Sequence, residues 1–79
     1  MIIDGKMVLT ESEVIEKAYA AMEECARSIR NGSRKWAARS RGEAAMWEFM
    51  LYFDFGREDG EWKTDLWYDL ERIADGSNV

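Results

Sequence analysis

The chain has no histidine, no proline and a single cysteine, Cys25. Each absence removes a class of explanation. Without histidine, the side chain that most readily moves a proton near neutral pH is missing. A zinc site of the usual kind is excluded as well, because one cysteine cannot supply a Cys/His ligand set. No disulfide can form within one chain. The lack of proline fits compact helices joined by short connections. Long apolar runs are also missing. The most apolar stretch, 44–55, carries Glu48 and Asp54 and is too short to span a bilayer.

Catalytic chemistry has little to work with. A pair of carboxylates can hydrolyse a sugar bond, but that reaction needs a deep cleft, and a chain of 79 residues has little material for one. Arg57-Glu58-Asp59-Gly60-Glu61 lacks the ligand spacing of a calcium loop. Asp54-Phe55-Gly56 matches a kinase tripeptide with no other kinase element around it. Cys25 reads as a small buried apolar group on a helix face. The expectation is a non-enzymatic chain with no catalytic residue, no metal and no cofactor.

Length and charge set further bounds. The chain is expected to form one domain over 1–79. A core this small is marginal on its own, so support from a second subunit or a larger protein is expected, most simply as a homodimer. The net charge of -5 works against nucleic-acid binding. A lone thiol, and the absence of a basic or long apolar N-terminus, point to the cytoplasm, with no membrane association.

What is present is sorted by charge. Arg27, Arg30, Arg34, Lys35, Arg39 and Arg41 fall together with no acid among them. From Asp54 to Asp75 the acids dominate: Asp54, Glu58, Asp59, Glu61, Asp65, Asp69, Glu71 and Asp75. Between the two regions, 44–53 reads Ala-Ala-Met-Trp-Glu-Phe-Met-Leu-Tyr-Phe.

Thr10-Glu11-Ser12-Glu13 has the form of a capping box. Val14, Ala18, Met22, Cys25 and Ile29 then share one helical face, widened by Ile15, Tyr19 and Ala26. Asn31-Gly32 supplies a stop, so a first helix is expected over about 11–31. Ser33 can cap a short helical piece through Arg39, and Ser40-Arg41-Gly42-Glu43 can open a second helix over about 41–54. One long helix through Gly42 is the alternative. From Glu61, the residues Trp62, Leu66, Leu70 and Ile73 line one face, with Trp67 and Ala74 beside them, until Gly76. A hairpin pairing 51–55 with 61–65 over Glu58-Asp59-Gly60 competes with helix for those segments, and helix is preferred. Ahead of the body, 1–9 reads as an apolar arm or a tiny hairpin of Ile2-Ile3 and Met7-Val8-Leu9 over Asp4-Gly5. The expected fold is a mostly α domain of about three helices over 10–76, with that arm or hairpin before it and a frayed tail at 77–79.

Three features are candidates for function. Segment 44–55 is apolar nearly all round, more than so small a fold can cover, which argues for a partner surface. Trp47, Trp62 and Phe49 are expected in the core. Trp36, Trp67 and Tyr68 are the aromatic candidates for a protein partner. On an acidic face, Glu61, Asp65 and Asp69 are spaced by four, joined by Glu58 and Asp59 in the preceding turn. Like charges at that spacing cost a helix a few tenths of a kcal/mol, so the stripe is not the best choice for stability alone and suits a basic partner; the duller reading is a solvated helix face. In size and acidic character, though in no aligned motif, the chain resembles small phage-borne inhibitors such as anti-CRISPR and anti-restriction proteins. The resemblance implies an inhibitor or regulator that docks a basic protein. The alternative is a small nucleic-acid-binding regulator using Arg27, Arg30, Arg34, Lys35, Arg39 and Arg41 on phosphates, with Trp36 stacking on a base. The duller reading of those cations is that they balance the chain's own acids. A purely structural, self-assembling subunit is the third reading.

Overall fold

A computed structural model describes residues 2–3, 6–7, 9–57 and 60–76. Strands β1 (Ile2–Ile3) and β2 (Lys6–Met7) pair antiparallel, Ile2 opposite Met7 and Ile3 opposite Lys6. The expected Asp4-Gly5 turn, Glu58, Asp59 and the tail 77–79 lie outside the described residues. The body is helical, with α1 (Glu11–Arg30), α2 (Arg34–Phe55) and α3 (Asp65–Gly76).

The capping box opens α1 as expected. Glu13 N–H donates to Thr10 Oγ1 at 3.2 Å, and Thr10 N–H donates back to Glu13 Oε1 at 3.2 Å. Two otherwise unpaired backbone donors are thereby satisfied. The Thr10 backbone N–H, and its hydroxyl, which also donates to Glu13 Oε1 at 3.0 Å, favour the charged carboxylate and hold the Glu13 pKa below its ordinary range. A depressed acid pKa stabilises the fold above the unfolded value of about 4.3, and that contribution is lost as pH falls through the lower folded value. Thr10→Ala should therefore lower the melting midpoint by about 4–8 °C near neutral pH. The deficit relative to wild type should shrink in acid, and circular dichroism melts at pH 7 and pH 3 would show it.

A three-residue corner turns α1 into α2. Gly32 takes φ 77°, the left-handed conformation that glycine adopts without strain, and Ser33 N–H donates to Ser28 O at 2.8 Å. α2 then runs unbroken through Gly42, which settles the choice between two short helices and one long one. Ser40 does not cap anything, because it is buried on the face toward α1. The helix ends at Gly56 (φ 67°), where Gly56 and Arg57 N–H groups donate to Tyr52 O and Leu51 O at 3.1 and 2.9 Å. The segment 51–55 is therefore helix, not hairpin.

The expected helix start at Glu61 is too early. Gly60 has φ 75°, and Lys63 N–H closes a turn onto Gly60 O at 2.9 Å. The Tyr19 hydroxyl, on α1, accepts from Thr64 N–H and bonds Thr64 Oγ1, each at 2.8 Å. That anchor delays α3 to Asp65, so 61–64 is neither strand nor helix.

α1 is the central element and packs against both α2 and α3. Val14, Ala18, Ala21, Met22, Cys25 and Ala26 are buried on it; Ala18, Ala21, Met22 and Ala26 cluster with Ala44 of α2 and with Trp67 and Leu70 of α3, and Ala37 and Leu51 of α2 are buried as well. Small residues dominate the contact and let the helices approach closely. Tyr19, Trp62 and Trp67 pack edge to face beside it, with ring centroids 4.8–6.3 Å apart. Burial pushes the Cys25 thiol pKa up, so the group stays a protonated, apolar filler. The whole is a slab of 44 × 27 × 16 Å between backbone extremes. Its thin dimension is little more than one helix diameter of about 10–12 Å. Among the described residues, no element lies over the back of α2, where Ala38, Gly42, Ala45, Met46, Phe49 and Phe53 are all exposed.

Candidate functional site

α2 carries two seams. Ala37, Ser40, Ala44, Trp47 and Leu51 step by three and four and form the inner one; Trp47 is half-buried and the rest are buried. Arg39, Gly42, Met46, Phe49 and Phe53 repeat the same steps two residues later. At 100° per residue that places them about 200° away, on the opposite face. Met46 is 51 % exposed, Phe49 and Phe53 are each 63 % exposed, and Tyr52 beside them is 47 % exposed. Phe49 stacks on Phe53 at 4.3 Å between centroids, and Tyr52 meets Phe53 edge-on at 4.8 Å. The result is one continuous aromatic ridge in solvent. Phe49 was expected in the core, and the inner register explains why it is not. Ala44 faces α1, and five residues on is about 140° round the helix.

The other aromatic candidates separate. Trp36 is 53 % exposed at the start of α2, with the Arg39 guanidinium 5.3 Å from its ring centre. Tyr68 is exposed on α3. Trp67 is fully buried, which corrects its placement on a partner surface. With Trp62 in the turn and α3 starting at Asp65, the helix turns Trp67 and Leu70 inward and Leu66 outward. Trp67 Nε1–H donates to Glu71 Oε2 at 3.0 Å, so even its polar edge is occupied.

The acidic stripe is shorter than its spacing suggests. Glu61 lies off the helix and bonds Arg57 at 3.1 Å. Asp65 and Asp69 are exposed one turn apart on α3, and Asp69 pairs with Arg72 at 2.8 Å. Near them Tyr68, Glu71, Arg72 and Asp75 line a shallow open depression. Lost helical repulsion therefore explains less of this face than expected.

The cations serve the fold in part. Arg41 reaches Glu48 and Asp75, each at 3.5 Å, and Lys63 reaches the other Glu48 oxygen at 3.1 Å. This chain of charges joins α2, the following turn and the end of α3. Arg57 joins that turn to the start of α1 through Glu11 at 2.6 Å. Arg27 pairs with Glu24 at 2.7 Å. Arg30, Arg34, Lys35 and Arg39 are exposed around the α1–α2 corner. Exposed pairs such as Arg27–Glu24 add little stability, whereas the side chains of the Arg41–Glu48–Lys63 cluster are each less than a third exposed.

Among the described residues, no group of three or more Asp, Glu and Cys side chains is placed to hold a metal ion. Among them too, no helix is long and apolar enough to cross a membrane. No protein-family model matches the chain, and searches of curated proteins and of solved structures find no match. The site therefore stands on its own geometry. The sequence pointed to segment 44–55 as a partner surface but not to which of its residues face out, because both seams look alike there. The signal that could have found them is the three–four spacing of 39, 42, 46, 49 and 53.

Proposed function

We propose that this chain is a non-enzymatic protein-binding module that docks through the outer face of α2. The observation that carries the reading is the ridge of Met46, Phe49, Tyr52 and Phe53, about half or more exposed on a helix whose other face already fills the core. Contiguous exposed apolar surface of this kind marks protein interfaces, and aromatics supply most of their binding energy. A module of this type acts as a regulator, an inhibitor or an assembly subunit by occupying another surface. The exposed Asp65 and Asp69, with Tyr68 between them, are a second surface suited to a basic protein. Their role is to speed and orient the encounter.

Immobilised wild-type chain should retain a protein, either a different one or further copies of itself. The double variant Phe49→Asp, Phe53→Asp should release it. Asp65→Lys with Asp69→Lys should slow association several-fold at low salt and leave dissociation nearly unchanged. Retention unaffected by the α2 double variant would refute the docking face.

A further inference from the structure

We infer that the outer face of α2 is covered by a second copy of this chain, with the two α2 helices antiparallel and their two-fold axis between Ala45 and Met46. The inference rests on the docking reading above and names the occupant.

Size along the face carries the argument. Its N-terminal half holds Ala38, Gly42 and Ala45, and its C-terminal half holds Met46, Phe49 and Phe53. All six lie within an arc of about 100° on the side away from α1, and each is exposed. Steps of four and three in the first half mirror steps of three and four in the second. An antiparallel copy centred between 45 and 46 sets Ala38 against Phe53, Gly42 against Phe49, and Ala45 against Met46. Every bulky side chain then meets a small one. A parallel copy in register would set Phe49 on Phe49 and leave a gap at Gly42.

Gly42 supplies an independent reason. Mid-helix glycine is unfavourable, and nothing in this fold requires it: a Cβ built there meets no atom within 4 Å. The space it leaves is on the outer face, where a partner's Phe49 ring would sit.

Charge agrees with the same orientation. The first turn of α2 has no acid and begins Arg34-Lys35, while its last turn has no base and contains Asp54. Both placements oppose the helix dipole. In the antiparallel pair, Asp54 of one copy lies level with Lys35 and Arg39 of the other, on the same flank. The charges brought to each end of the pair are then opposite in sign and attract at long range. The two-fold operator makes the patch self-complementary, as a closed dimer requires.

Cysteine cross-linking tests the register. Cys25 is 1 % exposed, so the wild-type chain is the silent control. Met46→Cys lies beside the axis and should give a covalent dimer on mild oxidation. Phe53→Cys alone should not, because its two copies are about 22 Å apart along the helices. Mixing Ala38→Cys with Phe53→Cys should give a mixed covalent dimer. Sedimentation of the unmodified chain at tens of micromolar should show about twice the 9.2 kDa chain mass. Gly42→Leu should return it to monomer with its helical circular dichroism intact, since the fold leaves room for the side chain. A monomer at every concentration, self-linking Phe53→Cys, or a Gly42→Leu dimer would each overturn the pairing. If the chain is monomeric but Phe49→Asp, Phe53→Asp still releases a different captured protein, self-pairing fails and the docking face stands. If that variant releases nothing, the docking face fails as well.

Discussion

Trp67→Ala is expected to leave the protein without a cooperative melting transition at room temperature. Trp67 is the largest fully buried side chain. Its ring meets Tyr19 at 5.2 Å and Trp62 at 4.8 Å, and so ties α3 and the turn before it to α1. Truncating a buried tryptophan costs about 3–5 kcal/mol, part of it from the cavity that remains. A domain this small has a stability near the low end of about 5–15 kcal/mol. The substitution thus removes most or all of it. Trp67→Phe separates packing from polarity. It keeps an aromatic ring in the cluster and loses the bond to Glu71, so an intermediate midpoint is expected. Thermal melts by circular dichroism, with near-ultraviolet signals for the remaining tryptophans, would check both variants. An alanine variant that melts within a few degrees of wild type would mean that α3 is not part of the cooperative unit.

How much of this was legible in the sequence depends on how local each determinant is. Thr10 and Glu13 fix the start of α1 through bonds three residues apart, so the capping pattern located that end. Asn31-Gly32 marked its stop for the same reason, and the three-helix architecture followed from such signals. Ser40 and Gly42 misled locally. The capping pattern at 40–43 is present, but Ser40 is turned into the α1 contact, and burial on that face outweighs a cap and a glycine penalty of about 1 kcal/mol. The start of α3 was beyond local reading, because the Tyr19 hydroxyl that holds Thr64 lies 45 residues away. Once that start moved to Asp65, the inward residue became Trp67, and a presumed anchor became core. The α2 face was half legible. The all-round apolar character of 44–55 correctly indicated more apolar surface than the fold covers. Which residues stay outside depends on which of two equivalent seams α1 takes, and that choice is made by Ala37, Ser40 and Ala44 fitting its small-residue side.

The two seams of α2 also give the sharpest contrast between neighbouring substitutions: Leu51→Asp should unfold the chain, and Phe49→Asp should not. The positions are two residues apart on one helix, so helix propensity and distance from the ends are nearly matched. Leu51 has no exposed surface, whereas Phe49 is 63 % exposed. At Leu51 the change removes an apolar side chain worth about 2–5 kcal/mol when truncated. It also buries a carboxylate, at several kcal/mol more or as an upward-shifted, protonated acid. The sum exceeds what a domain of 79 residues can lose. At Phe49 the carboxylate stays in water, and the stacked contact with Phe53 is given up. The monomer should keep its helical signal and melt close to wild type at low micromolar concentration. At higher concentration the two should diverge. A dimer that binds only folded chains raises the wild-type midpoint with concentration by mass action, and Phe49→Asp should show no such rise. An unfolded Phe49→Asp chain at low concentration would place this side chain in the core of the monomer and remove the outer face of α2 as a docking surface.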